Sequence, residues 1–140
     1  MAQKTTLNPY ITFPGNCREA MEFYKTVLNG ELEIMPFEGS PMEVPNDYKQ
    51  KIMHSSLKFG DALLMASDNQ PGQEVNFGDG IFLSIAASSL EEAQNIFNSL
   101  SSGGHVIMPF EDTFWGSKFG MFTDKFGIGW MVGFDKEQQG

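Results

Sequence analysis

Two histidines, a single cysteine and one adjacent pair of large rings are the residues of this chain whose chemistry could go beyond packing. His54 lies in MHSSLK, where strand alternation puts His54, Ser56 and Lys58 on one face and Met53, Ser55, Leu57 and Phe59 on the other. A covering helix takes the apolar face, so His54 looks the opposite way. There it serves either as an imidazole satisfied by a polar neighbour, or as a hydrogen-bond donor or general base in a cavity. Tyr10 and Thr12 alternate with Ile11 and Phe13 and would look into the same kind of cleft. Phe114 and Trp115, just before Gly116 in EDTFWGSKFG, set two rings on a short connection. Such rings either plug a gap or border a binding cleft. Cys17 stands at the start of a helical stretch, where the helix dipole favours a thiolate, although a lone cysteine so placed is usually inert. His105 follows two glycines and reads as a solvated residue at a strand start.

These residues need a scaffold, and the totals bound it. A chain of 140 residues with 41% hydrophobic residues and thirteen Phe suits one packed domain. Nine basic against eighteen acidic residues give a net charge of −9. That balance disfavours nucleic acid and anionic membranes as partners. The opening MAQKTTLNPY has no apolar signal-peptide core, and no apolar run reaches spanning length. One cysteine allows no internal disulfide, so a soluble, reducing, cytoplasmic setting is expected.

The scaffold is legible in a repetition. The pentapeptide IMPFE occurs at 34–38 and again at 107–111. Upstream of each lies a helical stretch. In NCREAMEFYKTVLNG, Ala20, Phe23, Tyr24, Val27 and Leu28 form an apolar stripe, Asn16 and Glu19 can cap the start, and Gly30 can supply the left-handed stop. In SSLEEAQNIFNSLSSGG, Ala93, Ile96, Phe97 and Leu100 form the stripe, with Ser89, Glu92 and Gly103 in the corresponding roles. One offset relates both helices and both pentapeptides, as a duplication would. Strand-like runs precede each helix (7–13 and 81–87). Two more follow each pentapeptide, divided by a turn holding KFG, with Pro36 and Pro109 marking where pairing stops or an edge begins. The unit is β-α-β-β-β, used twice: module one over 7–67, module two over 81–134, and a solvated linker over 68–80 whose acids lack calcium-loop spacing. A four-stranded sheet with one helix keeps a spare face to bury. The expected class is therefore α+β, a paired and cupped mixed sheet with helices outside. The aperiodic, proline-rich loop 36–49 would be a mobile cover or an interface segment.

With its EAMEFY helix, this duplicated module resembles the vicinal-oxygen-chelate superfamily of glyoxalases, extradiol dioxygenases and bleomycin-resistance proteins. The stretches NPYITFPGNCREAMEFY, MHSSLKFGDALLMASD and FWGSKFGMFTDKFGIGWMV resemble its PhnB-like branch over about residues 8–134. That branch carries the name demethylubiquinone methyltransferase. No glycine-rich loop follows a strand to seat S-adenosylmethionine, since GDG at 78–80 is too short and precedes a strand. Metal-using relatives place one ligand near the start of each module's first strand and a carboxylate on its last. By that resemblance the positions here are Asn8, Gly80, Leu64 and Met131, none of them His, Glu or Asp. No metal and no cofactor are therefore expected.

Three functions compete, because one scaffold carries many chemistries. The first is a metal-free protein binding a small aromatic or cationic molecule through Tyr10, Thr12, His54, Ser56, Phe114 and Trp115. The second is a superfamily enzyme, an isomerase, lyase or transferase, with an atypical metal or with His54 as base. The third is a structural or regulatory dimer with a vestigial cleft. The missing ligands rank the first above the second, and the resemblance implies a homodimer.

Overall fold

The two apolar stripes fold as helices α1 (Cys17–Leu28) and α2 (Leu90–Leu100). Helix α1 buries Cys17, Ala20, Met21, Tyr24 and Leu28, with Phe23 and Val27 half-buried at the margin of the stripe. Helix α2 buries Ala93, Ile96, Phe97 and Leu100. The computed structural model describes residues 4–135. The strand-like runs become β1 (Tyr10–Phe13), β2 (Glu31–Pro36), β3 (Ile52–Phe59), β4 (Ala62–Asp68), β5 (Phe82–Ala86), β6 (His105–Asp112), β7 (Ser117–Thr123) and β8 (Gly129–Asp135). They form two four-stranded sheets, ordered β1-β4-β3-β2 and β5-β8-β7-β6. The chain divides into two compact units, Met1–Asn76 and Phe77–Gly140, with one sheet and one helix in each.

Within each unit the first strand runs parallel to the last and the other pairings are antiparallel. The parallel pair requires the crossover that the helix and two strands supply. In the first unit Phe13, Tyr24, Leu57 and Leu64 are buried between sheet and helix. In the second, Phe97 stacks on Phe110 at 5.4 Å and meets the edge of Phe122 at 5.2 Å. Pro36 ends β2, and Pro109 lies in β6 where the register shifts between Met108 and Glu111. Both are edge strands, which tolerate a missing backbone donor.

The repeat departs from its expected register in three places. First, Asn29 (φ 54°) takes the left-handed position after α1, and Gly103 (φ 79°) takes it after α2. Gly30 is instead a close-approach residue, where a Cβ would lie 2.6 Å from the Lys58 carbonyl oxygen. Its counterpart is Gly104, whose Cβ would lie 2.1 Å from the Thr123 carbonyl oxygen. Second, the two KFG triplets are not equivalent. Lys58 and Phe59 belong to β3, leaving a two-residue hairpin turn, whereas Lys125–Gly127 lies inside the longer loop 124–128. Third, the α1 cap is different. Asn16 makes no side-chain cap bond, and its buried Oδ1 has no hydrogen-bond partner. The carboxylate of Asp68 takes over: the Cys17 N–H donates to Oδ1 at 2.9 Å and the Ile52 N–H to Oδ2 at 2.8 Å. Helix α2 follows expectation more closely. Ser89 Oγ accepts from the Glu92 N–H at 3.1 Å, while the Glu92 carboxylate reaches back to the Ser88 N–H at 2.9 Å.

Loop 36–49 is tied down rather than free-standing. Phe37 is buried against Tyr48, its N–H donates to the Lys51 carbonyl, and the Glu38 N–H donates to the Lys49 carbonyl. A short helical turn, Asn46–Tyr48, brings the Tyr48 hydroxyl to the Asn69 carbonyl at 2.7 Å. Burial raises the Tyr48 pKa above its ordinary value, with the Asp68 and Asp47 carboxylates adding to the shift.

Candidate functional site

Strand alternation in the first unit sorts its chemistry cleanly. Ile11, Phe13, Ser55, Leu57, Leu64 and Ala66 are buried on the helix side, so Tyr10, Thr12, His54 and Ser56 occupy the opposite face. Their positions follow from register. Tyr10 pairs with Met65, which pairs with Ser56, which pairs with Glu33; Thr12 pairs with Ser67, and His54 with Met35. Across that face the Tyr10 hydroxyl meets His54 Nδ1 at 3.1 Å, with ring centroids 5.7 Å apart. A phenol donating to Nδ1 leaves the proton of a neutral imidazole on Nε2. Nε2–H is then a donor for a ligand, with the Thr12 and Ser56 hydroxyls on the same face. His54 is half-buried and Tyr10 is 48% exposed. Four of the six sequence-derived site residues therefore share one surface.

The other two, Phe114 and Trp115, belong to the second unit, at the turn between β6 and β7. Phe114 is 97% exposed and Trp115 53%. Their rings meet edge to face at 5.0 Å, and Trp115 also meets Phe119 at 6.2 Å. The turn is held by the Thr113 N–H donating to the Ser117 carbonyl at 2.8 Å and the Ser117 N–H donating to Thr113 Oγ1 at 3.2 Å. These rings plug nothing within their own unit.

Cys17 is not an activated thiol. It is buried, its Sγ is 3.7 Å from Ser55 Oγ, and burial pushes its pKa up to about 12, outweighing the Ser55 hydrogen bond. The Asp68 carboxylate raises the pKa further, and Arg18 lowers it. The expected help from the helix dipole is absent as a net effect, because that helix end already holds a carboxylate. Sequence reasoning missed Asp68, and also Asp124. Asp124 is buried, accepts from Trp130 Nε1 at 2.8 Å, and takes the Phe126 and Ile128 N–H groups at 2.8 and 3.1 Å. The only available signal was an acidic residue ending a strand or opening a turn beside buried apolar neighbours. Loop 37–49 encloses a hollow of about 400 Å³ that none of the six site residues lines.

The four positions inferred for metal ligands resolve unevenly. Asn8 and Gly80 precede their strands, Leu64 is buried toward α1, and Met131 is only half-buried, with the buried Trp130 and Val132 on either side of it. Counting from the glycines fails because the second hairpin loop is longer. Pairing registers match Met131 with Ser67 instead, and neither side chain is a carboxylate or imidazole. Among the described residues no three His, Cys, Asp or Glu side chains are grouped to hold a metal ion. Both oxygens of Asp68 and of Asp124 are engaged by N–H donors. The donor set does not fit the metal of the chelating relatives. A nucleoside cofactor fits no better. The α1 start is capped by Asp68 and the α2 start by Ser89, so neither offers the open backbone cradle that phosphate- or nucleoside-binding turns use.

The family model described as 3-demethylubiquinone-9 3-methyltransferase matches residues 5–133. Protein PA1353 from Pseudomonas aeruginosa is 46% identical, with a TM-score of 0.86 over 94% of this chain and 98% of that one. A Bacillus cereus PhnB protein is 22% identical, with a TM-score of 0.77 over 93% of this chain and 99% of that one. A Burkholderia phytofirmans protein of the glyoxalase/bleomycin resistance protein/dioxygenase family is 12% identical. Its TM-score is 0.62 over 90% of this chain and 96% of that one, a likeness of fold.

Proposed function

We propose that this chain, which belongs to the PhnB-like 3-demethylubiquinone-9 3-methyltransferase family of the glyoxalase/bleomycin-resistance superfamily, is a metal-independent small-molecule-binding protein. The observation that carries the reading is the Tyr10–His54 hydrogen bond on the sheet face turned away from α1. A phenol and an imidazole joined across a strand, with Thr12 and Ser56 alongside, form a preorganised hydrogen-bonding surface beside the pliant side chains of Met35 and Met65. Methyl transfer from S-adenosylmethionine has no support in the residues, because the Asp68 carboxylate from β4 sits on the start of α1 and Ser89 caps α2. Superfamily chemistry with His54 as general base is the second reading; it uses the other tautomer, in which Nδ1–H donates to the Tyr10 hydroxyl oxygen and Nε2 is the free base. A homodimer, the usual form of relatives, accords with either.

A thermal-shift screen of small, hydrogen-bonding aromatic compounds tests the proposal. Binders are expected, and His54→Ala and Tyr10→Phe should each remove their effect. Calorimetry with S-adenosylmethionine should give no heat of binding. Binding of S-adenosylmethionine, or ligand shifts indifferent to both substitutions, would overturn the reading.

A further inference from the structure

The exposed rings of the second unit share their sheet face with two carboxylates. Glu111 on β6 pairs directly with Phe119 on β7, Phe119 pairs with Gly133 on β8, and Ser117 pairs with Asp135. Directly paired and alternate residues project to one side, so Glu111, Phe119, Ser117 and Asp135 share a face. It is the face away from α2, because the intervening Gly120 packs against Phe97 of that helix. Trp115 touches Phe119 at 6.2 Å and carries Phe114 at 5.0 Å. Gly133 has no side chain, and a Cβ there would lie 3.7 Å from the Phe119 ring, which leans over the glycine. The basic residue of β7, Lys118, turns to the opposite face, where its Nζ lies 5.2 Å from the Phe110 ring centroid.

We infer that this end of the second sheet, formed by Trp115, Phe119, Glu111 and Asp135, binds an organic ammonium cation. A large exposed ring pair on a hydrogen-bonded turn is already in position and loses little freedom on binding. Ring faces attract cations, and the two carboxylates add charge of the complementary sign in a chain of net charge −9. A neutral apolar ligand would use the rings alone and gain nothing from Glu111 or Asp135. Among the described strand residues of the second unit no lysine shares that face, so a small anion would meet two carboxylates there. The inference rests on the reading of the chain as a small-molecule binder and names the ligand class for its aromatic end.

Choline is the probe, with its uncharged carbon isostere dimethylbutanol as control. Trp115 is the exposed indole and Trp130 the buried one, so intrinsic fluorescence reports the site. Choline should quench saturably, and dimethylbutanol should bind at least about fivefold more weakly. Trp115→Ala should abolish the signal. The double variant Glu111→Gln, Asp135→Asn, checked for an unchanged melting temperature, should weaken choline about tenfold as two exposed charge contacts are lost. Equal binding of choline and dimethylbutanol would overturn the inference, as would full choline affinity in the double variant or no saturable quenching. The wider reading fails separately, when no compound perturbs the His54 imidazole in the same protein.

Discussion

Asp68→Ala is the perturbation whose consequence follows most directly from the structure. One buried carboxylate ties the start of α1 to the start of β3 from the end of β4, through the Cys17 and Ile52 N–H groups. Removing it leaves two buried backbone donors without an acceptor, at roughly 1–3 kcal/mol each. The expected loss is therefore about 2–6 kcal/mol, a large share of the 5–15 kcal/mol typical of a whole domain. Asp68→Asn keeps one acceptor oxygen but faces an N–H donor with an amide NH₂, so about 1–3 kcal/mol is expected. Asp61→Ala, in the exposed β3–β4 turn, is the control and should stay within about 0.5 kcal/mol. Urea unfolding followed by far-ultraviolet circular dichroism is the assay, because both tryptophans lie in the second unit and would not report the first. A lower midpoint at unchanged slope is expected. If Asp68→Ala unfolds within about 1 kcal/mol of the parent, the anchoring argument is wrong.

Cys17 should resist a thiol reagent in the native protein. With a pKa of about 12, its thiolate fraction at pH 8 is about one in ten thousand. Its raised pKa also implies a pH dependence. The thiol ionises near 9.0 in the unfolded chain and near 12 in the folded one, so its contribution is complete below pH 9 and declines above it. Tyr48 acts in the same direction above pH 10. Urea midpoints of Cys17→Ala should consequently fall less steeply than those of the parent between pH 9 and 11. Gly30→Ala and Gly104→Ala should each lower the melting temperature, with costs on the order of 1–3 kcal/mol, because backbone oxygens block the added carbon. Asn29→Gly should be neutral or slightly stabilising and Asn29→Ala destabilising by about 1 kcal/mol, reflecting the left-handed backbone there.

The architecture was readable because duplication writes it twice: two stripes of period 3.6, two capped helix starts and two pentapeptides reinforce one another. What failed was register. Identical letters in KFG suggested equivalent turns, yet one triplet lies mainly in a strand and the other in a loop. Pairing is decided by which neighbours bury their side chains, and the repeated triplet carried no information about that. The cap at α1 failed for a related reason. Asn16 is adjacent in sequence, but it is Asp68, 51 residues from Cys17, whose carboxylate takes the first N–H of the helix. Alternation sufficed to bring Tyr10, Thr12, His54 and Ser56 to one face, since a strand has only two. The Tyr10–His54 contact itself depends on β4 separating β1 from β3, a tertiary fact that no local pattern encodes.

The central claim is that the Tyr10–His54 face receives a ligand. Protein carrying ¹⁵N-labelled histidine contains two imidazoles, His54 and His105, on different units. Compounds that raise the melting temperature through this face should move the His54 ring signals, leave those of His105 in place, and lose the effect in Tyr10→Phe. If every stabilising compound leaves the His54 imidazole where it was, the face is not a binding surface and the account is contradicted.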